Sequence, residues 1–557
     1  MAITTKIIVQ QILNIDDTKA TASKFPRYTV TLGNSISSIT ANELVSSIEA
    51  AAKSAAAAKD SEIAAKTSEL NAKNSEQKAA ISATEAGKQA TNAANSANTA
   101  KTEADRSKTE ADRSEAAANS TPDIQPLPDV WIPFNDSLDM ITGFAPGYKK
   151  ITVGDEEITL PSDKIVSFTR ASTATYINKS GVLTVAGIDE PRFEKDGLLI
   201  EGQRTNYHLN SLTPSKWGAT TSVTITESGV DEFGFTYGRF QIKDEKIGTN
   251  TAMNIAAISG GRGVDVTGTE KYVTTSCRVK SDSANIQCRI RFERYDGSAY
   301  FYLADAYLNI TDMSIRKTGV GAARITARAE KESNGWIYFE VTYQSEAIDN
   351  MVGSQIQIAP PVSPGTYSGG EYLQVATPQV EGGACASSFI ITEATPVTRA
   401  SDMVTLPIKN NLYNLPFTVL VEAHKNWSIT PNAAPRVFDT SGHQTGAAII
   451  LAFGSAEGDN DGFPYCDIGK SNRRVYENAK LKKMIMGMRV KSDYNTCCVS
   501  NARISSETKT EWRYIQSTAT IRIGGQTTTG GRHLFGHVRN FRIWHKELTD
   551  RQMKEYV

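Results

Sequence analysis

Residues 57–119 read AAKDSEI, AAKTSEL, NAKNSEQ, KAAISAT, EAGKQAT, NAANSAN, TAKTEAD, RSKTEAD and RSEAAAN, nine consecutive blocks of seven with no gap. Lys59, Lys66 and Lys73 share one register, as do Ser61, Ser68 and Ser75, and Lys101–Ser107 is repeated letter for letter as Lys108–Ser114. A seven-residue period marks helices that supercoil, because it keeps one seam facing a partner helix. The second place of each block is Ala58, Ala65, Ala72, Ala79, Ala86, Ala93, Ala100, Ser107 and Ser114, and later blocks add Ala90, Ala97, Ala104 and Ala111 in the sixth place. The seam is therefore narrow and built of small side chains.

Outward from the heptads, the helix has a readable start and stop. Thr40 with Glu43 forms a capping-box pattern, and Ile39 with Leu44 is placed to close a hydrophobic staple over it. No proline interrupts the run until Pro122, Pro126 and Pro128 end it in a stiff, extended exit. At about 1.5 Å per residue the rod would reach roughly 120 Å. Its Ser-, Thr-, Asn- and Lys-rich composition also suits a mobile tether; the heptad register decides for a helical bundle. Small seam residues do not choose between dimer and trimer.

The whole chain of 557 residues is 39% apolar, enough for cores outside the rod. Sixty basic residues against sixty-one acidic ones, with no basic block, argue against nucleic acid as a partner. Met1–Gln11 lacks the pattern of a secretory signal, and no apolar stretch approaches membrane-span length, so neither export nor membrane insertion is expected. The six cysteines show no metal-ligand spacing, and Cys277 and Cys288 read as small core residues in strands.

Residues 1–40 carry Ile7, Ile8, Ile12, Leu13, Phe25 and Tyr28 without enough chain to bury them, which predicts a docking segment that folds against a partner. ITTKIIVQQILNIDDTKATASKFPRYTVTLGNSISSIT, followed by the AAKTSELNAKNSE heptads, resembles the virion-attachment end of siphophage lateral (L-shaped) and side tail fibres over about the first 120 residues. The resemblance implies a homotrimer, a tail or collar protein as the docking partner, and a place in the virion after assembly in the host cytoplasm.

From Asp129 aromatic residues and turn signals appear together. The stretch FTRASTATYINKSGVLTVAGIDEPRFEKDGLLIEGQRTN, Phe168–Asn206, resembles a motif of phage tail fibres, with Asp189-Glu190-Pro191-Arg192 expected as a charged turn. Residues 211–398 read as a β-sandwich. Ile286, Cys288, Ile290 and Phe292 alternate with Gln287, Arg289, Arg291 and Glu293, and Ile337, Phe339, Val341 and Tyr343 share one face of a second strand. Its strand order and its ending YLQVATPQVEGGACASSFIITEATPVTRASD resemble jelly-roll carbohydrate-binding modules, with Trp217, Tyr295, Tyr300 and Tyr302 as exposed rings for sugars. The ending GRHLFGHVRNFRIWHKELTDRQMKEYV resembles the closing strand and short helix of laminin-G or concanavalin A-like lectin domains, with Thr549 and Gln552 as a capping box.

The fold class expected is thus multidomain and fibrous: an N-terminal α-helical coiled coil followed by antiparallel β-sandwich domains, one jelly-roll and one lectin-like. Its parts are an attachment segment (1–40), a heptad rod (41–121), a Pro-rich exit with the short-stranded motif (122–210), a jelly-roll sandwich (211–400) and a lectin-like sandwich (401–557).

No phosphate-binding glycine loop, His-Glu-x-x-His or Gly-x-Ser-x-Gly pattern is present, and the histidines are scattered in sequence. No catalytic residues or cofactor are expected. The loop Glu457-Gly458-Asp459-Asn460-Asp461-Gly462 offers alternate oxygen donors, so Glu457, Asp459 and Asp461 are candidate calcium ligands. The function expected is a tail fibre that adsorbs reversibly to a bacterial surface glycan of the lipopolysaccharide or O-antigen class. Trp427, Tyr465 and Trp512 beside Asp459, Asn460 and Asp461 would supply aromatic and planar polar contacts. The alternative is a tailspike-like polysaccharide depolymerase, which the missing short rung period of a β-helix disfavours.

Overall fold

The structure is a computed structural model that describes residues 41–79, 96–109, 125–142, 148–153, 156–161, 166–258, 262–408, 411–412, 415–440, 448–455, 460–469, 471–476, 480–509, 520–526 and 531–556. It divides into two compact units, Met1–Pro126 and Leu127–Val557. In the first unit Ala41–Ala79 and residues 96–109 are α-helical, as the alanine-rich heptads require. Glu62 and Lys66 pair across one turn at 3.0 Å, while Val45, Ile48, Ile63 and Leu70 stand exposed on a helix that buries almost nothing of its own. The docking residues Ile7, Ile8, Ile12, Leu13, Phe25 and Tyr28 lie outside the described residues.

In the second unit two sandwiches of antiparallel strands are nested in sequence. One sheet of the outer sandwich runs through Asn495–Ser500, Lys483–Val490, Phe417–Lys425, Gly536–Trp544, Gly197–Ile200 and Phe193–Glu194, with Val130–Ile132 also on Gly536–Trp544. The other runs Ser471–Arg474, Pro464–Ile468, Ile449–Phe453, Arg436–Asp439, Thr520–Ile523, Met403–Pro407 and Ser167–Thr169. One core joins them, and it draws Val130, Ile132, Phe134, Leu198 and Ile200 from before the insertion and Val419, Phe438, Phe541 and Ile543 from after it. The expected boundary between 122–210 and 401–557 therefore does not hold: Val130–Ile132, Ser167–Thr169 and Gly197–Ile200 supply strands to the sheets of the carboxy-terminal sandwich, which is discontinuous in sequence.

The inner sandwich is inserted at a neck where Arg204–Asn206 pairs with Val397–Arg399. One of its sheets orders Val223–Val230, Thr236–Ile242, Tyr372–Gly382, Tyr272–Lys280, Ile337–Gln344 and Ile325–Lys331. The other orders Met253–Ile258, Met351–Ala359, Gln287–Tyr295, Tyr300–Asn309 and Ile315–Thr318. The alternation read from sequence holds: Cys288, Ile290, Phe292, Phe339, Val341 and Tyr343 are core, and Arg289 and Arg291 face outward. All six cysteines are buried thiols. Thr549 and Gln552 cap the final helix reciprocally.

Around the neck lies a buried ionic network. Arg170 and Arg192 reach the two oxygens of Asp402 at 3.2 and 2.6 Å, Arg192 also reaches Glu201 at 2.8 Å, and Arg399 pairs with the same Glu201 oxygen. Ser388 donates to Glu201 from both backbone and hydroxyl, and the Glu201 amide donates to Asp402 at 2.8 Å. Burial alone would raise the Glu201 carboxyl, yet Arg399, Arg192 and the Ser388 donors hold it down at about 2. Burial pushes Arg170 and Arg399 down from the usual arginine range, whereas Asp402 and Glu201 outweigh burial at Arg192 and push it up. The expected charged turn is thereby corrected in part: Asp189 and Glu190 accept from the backbone amides of Arg170 and Gly187, but Arg192 is fully buried, because two carboxylates from distant segments meet it there.

Removing one partner from such a network strands a buried charge, so Asp402→Ala should cost about 3–5 kcal/mol in denaturant unfolding. Glu201 has a folded-state pKa below its ordinary value of 4.5, so its contribution is whole above that pH and is lost as pH falls toward about 2. Acid titration of stability should show that loss in wild type, and Glu201→Gln should flatten it. A fragment of residues 401–557 should aggregate, since Gly536–Trp544 and Met403–Pro407 lose their neighbours, whereas residues 127–557 should unfold in a cooperative transition.

Candidate functional site

The outward face of the inner sheet built around Gln287–Tyr295 concentrates the chemistry. Its registers set Gln357, Arg289, Tyr307 and Arg316 in one row, and Gln355, Arg291, Asp305 and Thr318 in the next. Glu293 and Tyr302 follow, then Tyr295 and Tyr300. Period-two alternation is the cause: each strand sends its apolar residues into the core, and what remains on this face is polar or aromatic. A bulge at Phe292/Glu293 keeps Tyr302 and Tyr300 on the same side as Tyr307.

Several of these groups are locked. Arg289 donates to Asp305 at 2.7 Å and to Gln357 at 3.0 Å, Gln357 donates to Gln355 at 2.8 Å, and Gln355 donates to Glu293 at 3.1 Å. Thr318 donates to the other Asp305 oxygen, and Gln357 donates to Asn254. Two guanidinium groups are held differently. Arg291 lies 5.1 Å from the Tyr302 ring centre and Arg316 4.1 Å from that of Tyr307. Among the described residues neither makes an ion pair, and Arg291 Nε has no hydrogen-bond partner. Burial raises the Tyr302 phenol, so it stays protonated and can donate. Tyr300 and Tyr302 are 54% and 39% exposed, and Tyr295 tilts against Tyr300 with ring centres 4.8 Å apart. Three arginines against two carboxylates, with open phenol rings beside them, suit a polyhydroxylated ligand that carries negative charge.

The ring set expected in the carboxy-terminal sandwich is placed otherwise. Trp427 is 1% exposed, packs edge-on against Phe453, and donates its indole N–H to the Leu534 carbonyl at 2.7 Å. Tyr465 is also buried, accepts from Arg436 at 2.6 Å, and has Arg474 over its ring. Neither presents a face to a sugar, because the core of this sandwich takes both. Asn460 sits in a turn, and Asp461 is half-buried, accepts the Thr430 hydroxyl proton and has its carboxyl raised by burial. Trp512, Glu457 and Asp459 lie outside the described residues. In the inner sandwich Trp217, expected exposed, stacks on Phe240 in the core. The sequence placed Arg289 and Arg291 on the charged row of a strand and named Tyr295, Tyr300 and Tyr302 as exposed rings, but it did not single out Tyr307, Arg316, Gln355 and Gln357, whose alignment with them depends on strand register.

No family model matches the chain. A stretch of 54 residues, 10% of the chain, is 57% identical to side tail fibre protein pb1 of Escherichia phage T5 and spans 4% of that protein. The chain therefore carries a segment homologous to a phage side tail fibre, and it covers a small part of that relative's length. Among solved structures, Trypanosoma rangeli sialidase with sialic acid overlays 74% of this chain and 98% of its own at 8% identity and a TM-score of 0.22. The same sialidase with 2,3-difluorosialic acid covers 73% of this chain and 76% of its own at 11% identity and a TM-score of 0.19. Superpositions of this quality establish no common fold.

The two kinds of aromatic residue should separate in stability measurements. Trp427→Ala empties a packed core position and should cost about 3–5 kcal/mol, whereas Tyr302→Ala on the open face should stay within about 1 kcal/mol in chemical denaturation.

Proposed function

We propose that this chain is a phage side tail fibre protein that adsorbs reversibly to a bacterial surface glycan, and that the outward face of the inner sheet makes the contact. The tail-fibre reading is supported by the 54 residues shared with the phage T5 protein. The glycan reading rests on one observation: Arg291 and Arg316 lie on tyrosine rings with no carboxylate partner among the described residues, next to the open rings of Tyr300 and Tyr302. An acidic surface polysaccharide of the lipopolysaccharide or O-antigen class would meet the guanidinium groups with its carboxylates or phosphates and the rings with its apolar sugar faces.

The remaining parts follow the same logic. Residues 1–40 dock on a tail or collar protein, and the heptad helix, which by itself leaves Val45, Ile48, Ile63 and Leu70 exposed, forms a trimeric coiled coil in the virion. Multivalency then turns modest sites into firm adsorption. The protein acts as an adhesin rather than a depolymerase: Asp305 and Glu293, the carboxylates of the face, are each engaged by protein donors and are not poised for acid and base work.

Excess folded protein should block adsorption of the phage. Arg291→Ala and Tyr302→Ala should each weaken glycan binding about tenfold in Kd, as loss of a contact of roughly 1.4 kcal/mol would, and added salt should weaken the wild type further. Undiminished adsorption in the presence of excess protein, or release of oligosaccharide from purified lipopolysaccharide, would refute this reading.

A further inference from the structure

Away from the glycan face, two histidines scattered in sequence meet on the outer sandwich. His424 and His537 are directly opposed on the antiparallel strands Phe417–Lys425 and Gly536–Trp544, with ring centres 5.4 Å apart. Over them lies the turn of the hairpin Phe193–Ile200, whose second strand pairs His537 with Leu199. Gly197 allows that approach: it sits at φ 116°, and a Cβ there would lie 2.6 Å from the Val538 carbonyl oxygen. The hairpin delivers Glu194 and Asp196 to the histidine pair.

We propose that Asp196, His424 and His537, with Glu194 as a fourth donor, form a binding site for one divalent transition-metal ion of the zinc type. One donor atom each from Asp196, His424 and His537 lies within 4.8 Å of the other two. His424 Nδ1 is 2.8 Å from Asp196 Oδ2, and His537 Nε2 is 2.8 Å from Glu194 Oε2. The first contact is close, yet His424 Nδ1 makes no hydrogen bond. His537 is 4% exposed and its Nδ1 has no hydrogen-bond partner either. Ligand atoms around a tetrahedral ion with bonds of about 2.0–2.2 Å sit roughly 3.4 Å apart, a spacing within the 4.8 Å that encloses the three donors here.

The donor set selects the ion. Two imidazoles and two carboxylates suit zinc, nickel or copper and disfavour calcium and magnesium, which take oxygen ligands. Lys483 is the competing cation: it pairs with the other Asp196 oxygen, but its side chain is 63% exposed and can swing into solvent. Bound metal would pin the hairpin of the amino-terminal motif to strands nearly 230 to 340 residues away in sequence, adding a cross-link to the ionic network.

Full-length protein stripped with chelator is the material for the test, with zinc chloride and cobalt chloride as probes. Expected are one zinc per chain, a rise in melting temperature of about 5 °C, no response to calcium, and intense visible cobalt bands of a tetrahedral site. His424→Ala, His537→Ala and Asp196→Asn should each weaken zinc binding at least about a hundredfold, and Lys483→Ala should tighten it. Absence of zinc uptake by the wild type, a pale octahedral cobalt spectrum, or uptake unchanged in the folded histidine variants would overturn the site. The cobalt spectrum needs no variant, so a variant that fails to fold leaves the test intact.

Discussion

Five ionised side chains at the neck between the sandwiches constrain everything built around them. Arg170, Arg192 and Arg399 surround Asp402 and Glu201, and the five come from four segments: the end of the strand Ser167–Thr169, the motif turn, the chain entering the insertion at Glu201, and the chain leaving it, which carries both Arg399 and Asp402. None of these charges can be buried alone, since desolvation costs several kcal/mol per ion in practice and is offset only when partners arrive together. The network therefore forms all at once or not at all. It makes the outer sandwich, the motif and the inserted sandwich interdependent, and it is not saturated: the Nε atoms of Arg192 and Arg399 remain without hydrogen bonds. Such a cluster adds little net stability compared with apolar packing, and its effect is to penalise any other arrangement of the strands.

The neck network and the inner sheet face use arginine in different ways. At the neck, arginines meet carboxylates from within the chain, donor to acceptor, out of contact with water. On the sheet face Arg289 is tied to Asp305 and Gln357, but Arg291 and Arg316 are held only by tyrosine rings. A guanidinium kept extended by a ring, with its in-plane donors unspent, is preorganised for an anion from outside. The same residue type thus builds the fold in one place and offers contacts in another, and the difference lies in what the register sets opposite it.

The sequence by itself determined the helix at Ala41–Ala79 and at 96–109, the strands whose apolar residues fall at every second place, the terminal capping box and the absence of metal-type cysteine spacing. All of these are local: a period of seven or of two, or a cap three residues from its partner, is written in neighbouring letters. A longer-range signal was present too, for Thr-Arg-Ala-Ser occurs at 169–172 and again at 398–401, and both copies place an arginine in the network. Only the tertiary structure decided which aromatics are buried and which are open. Trp427 and Trp217 end in cores and Tyr300 and Tyr302 do not, because an alternating pattern assigns residues to two faces without saying which face meets another layer. Only the structure could join Val130–Ile132 and Gly197–Ile200 to Gly536–Trp544, or bring His424, His537 and Asp196 together, since strand pairing across hundreds of residues is settled by the packing of whole sheets and leaves no local mark.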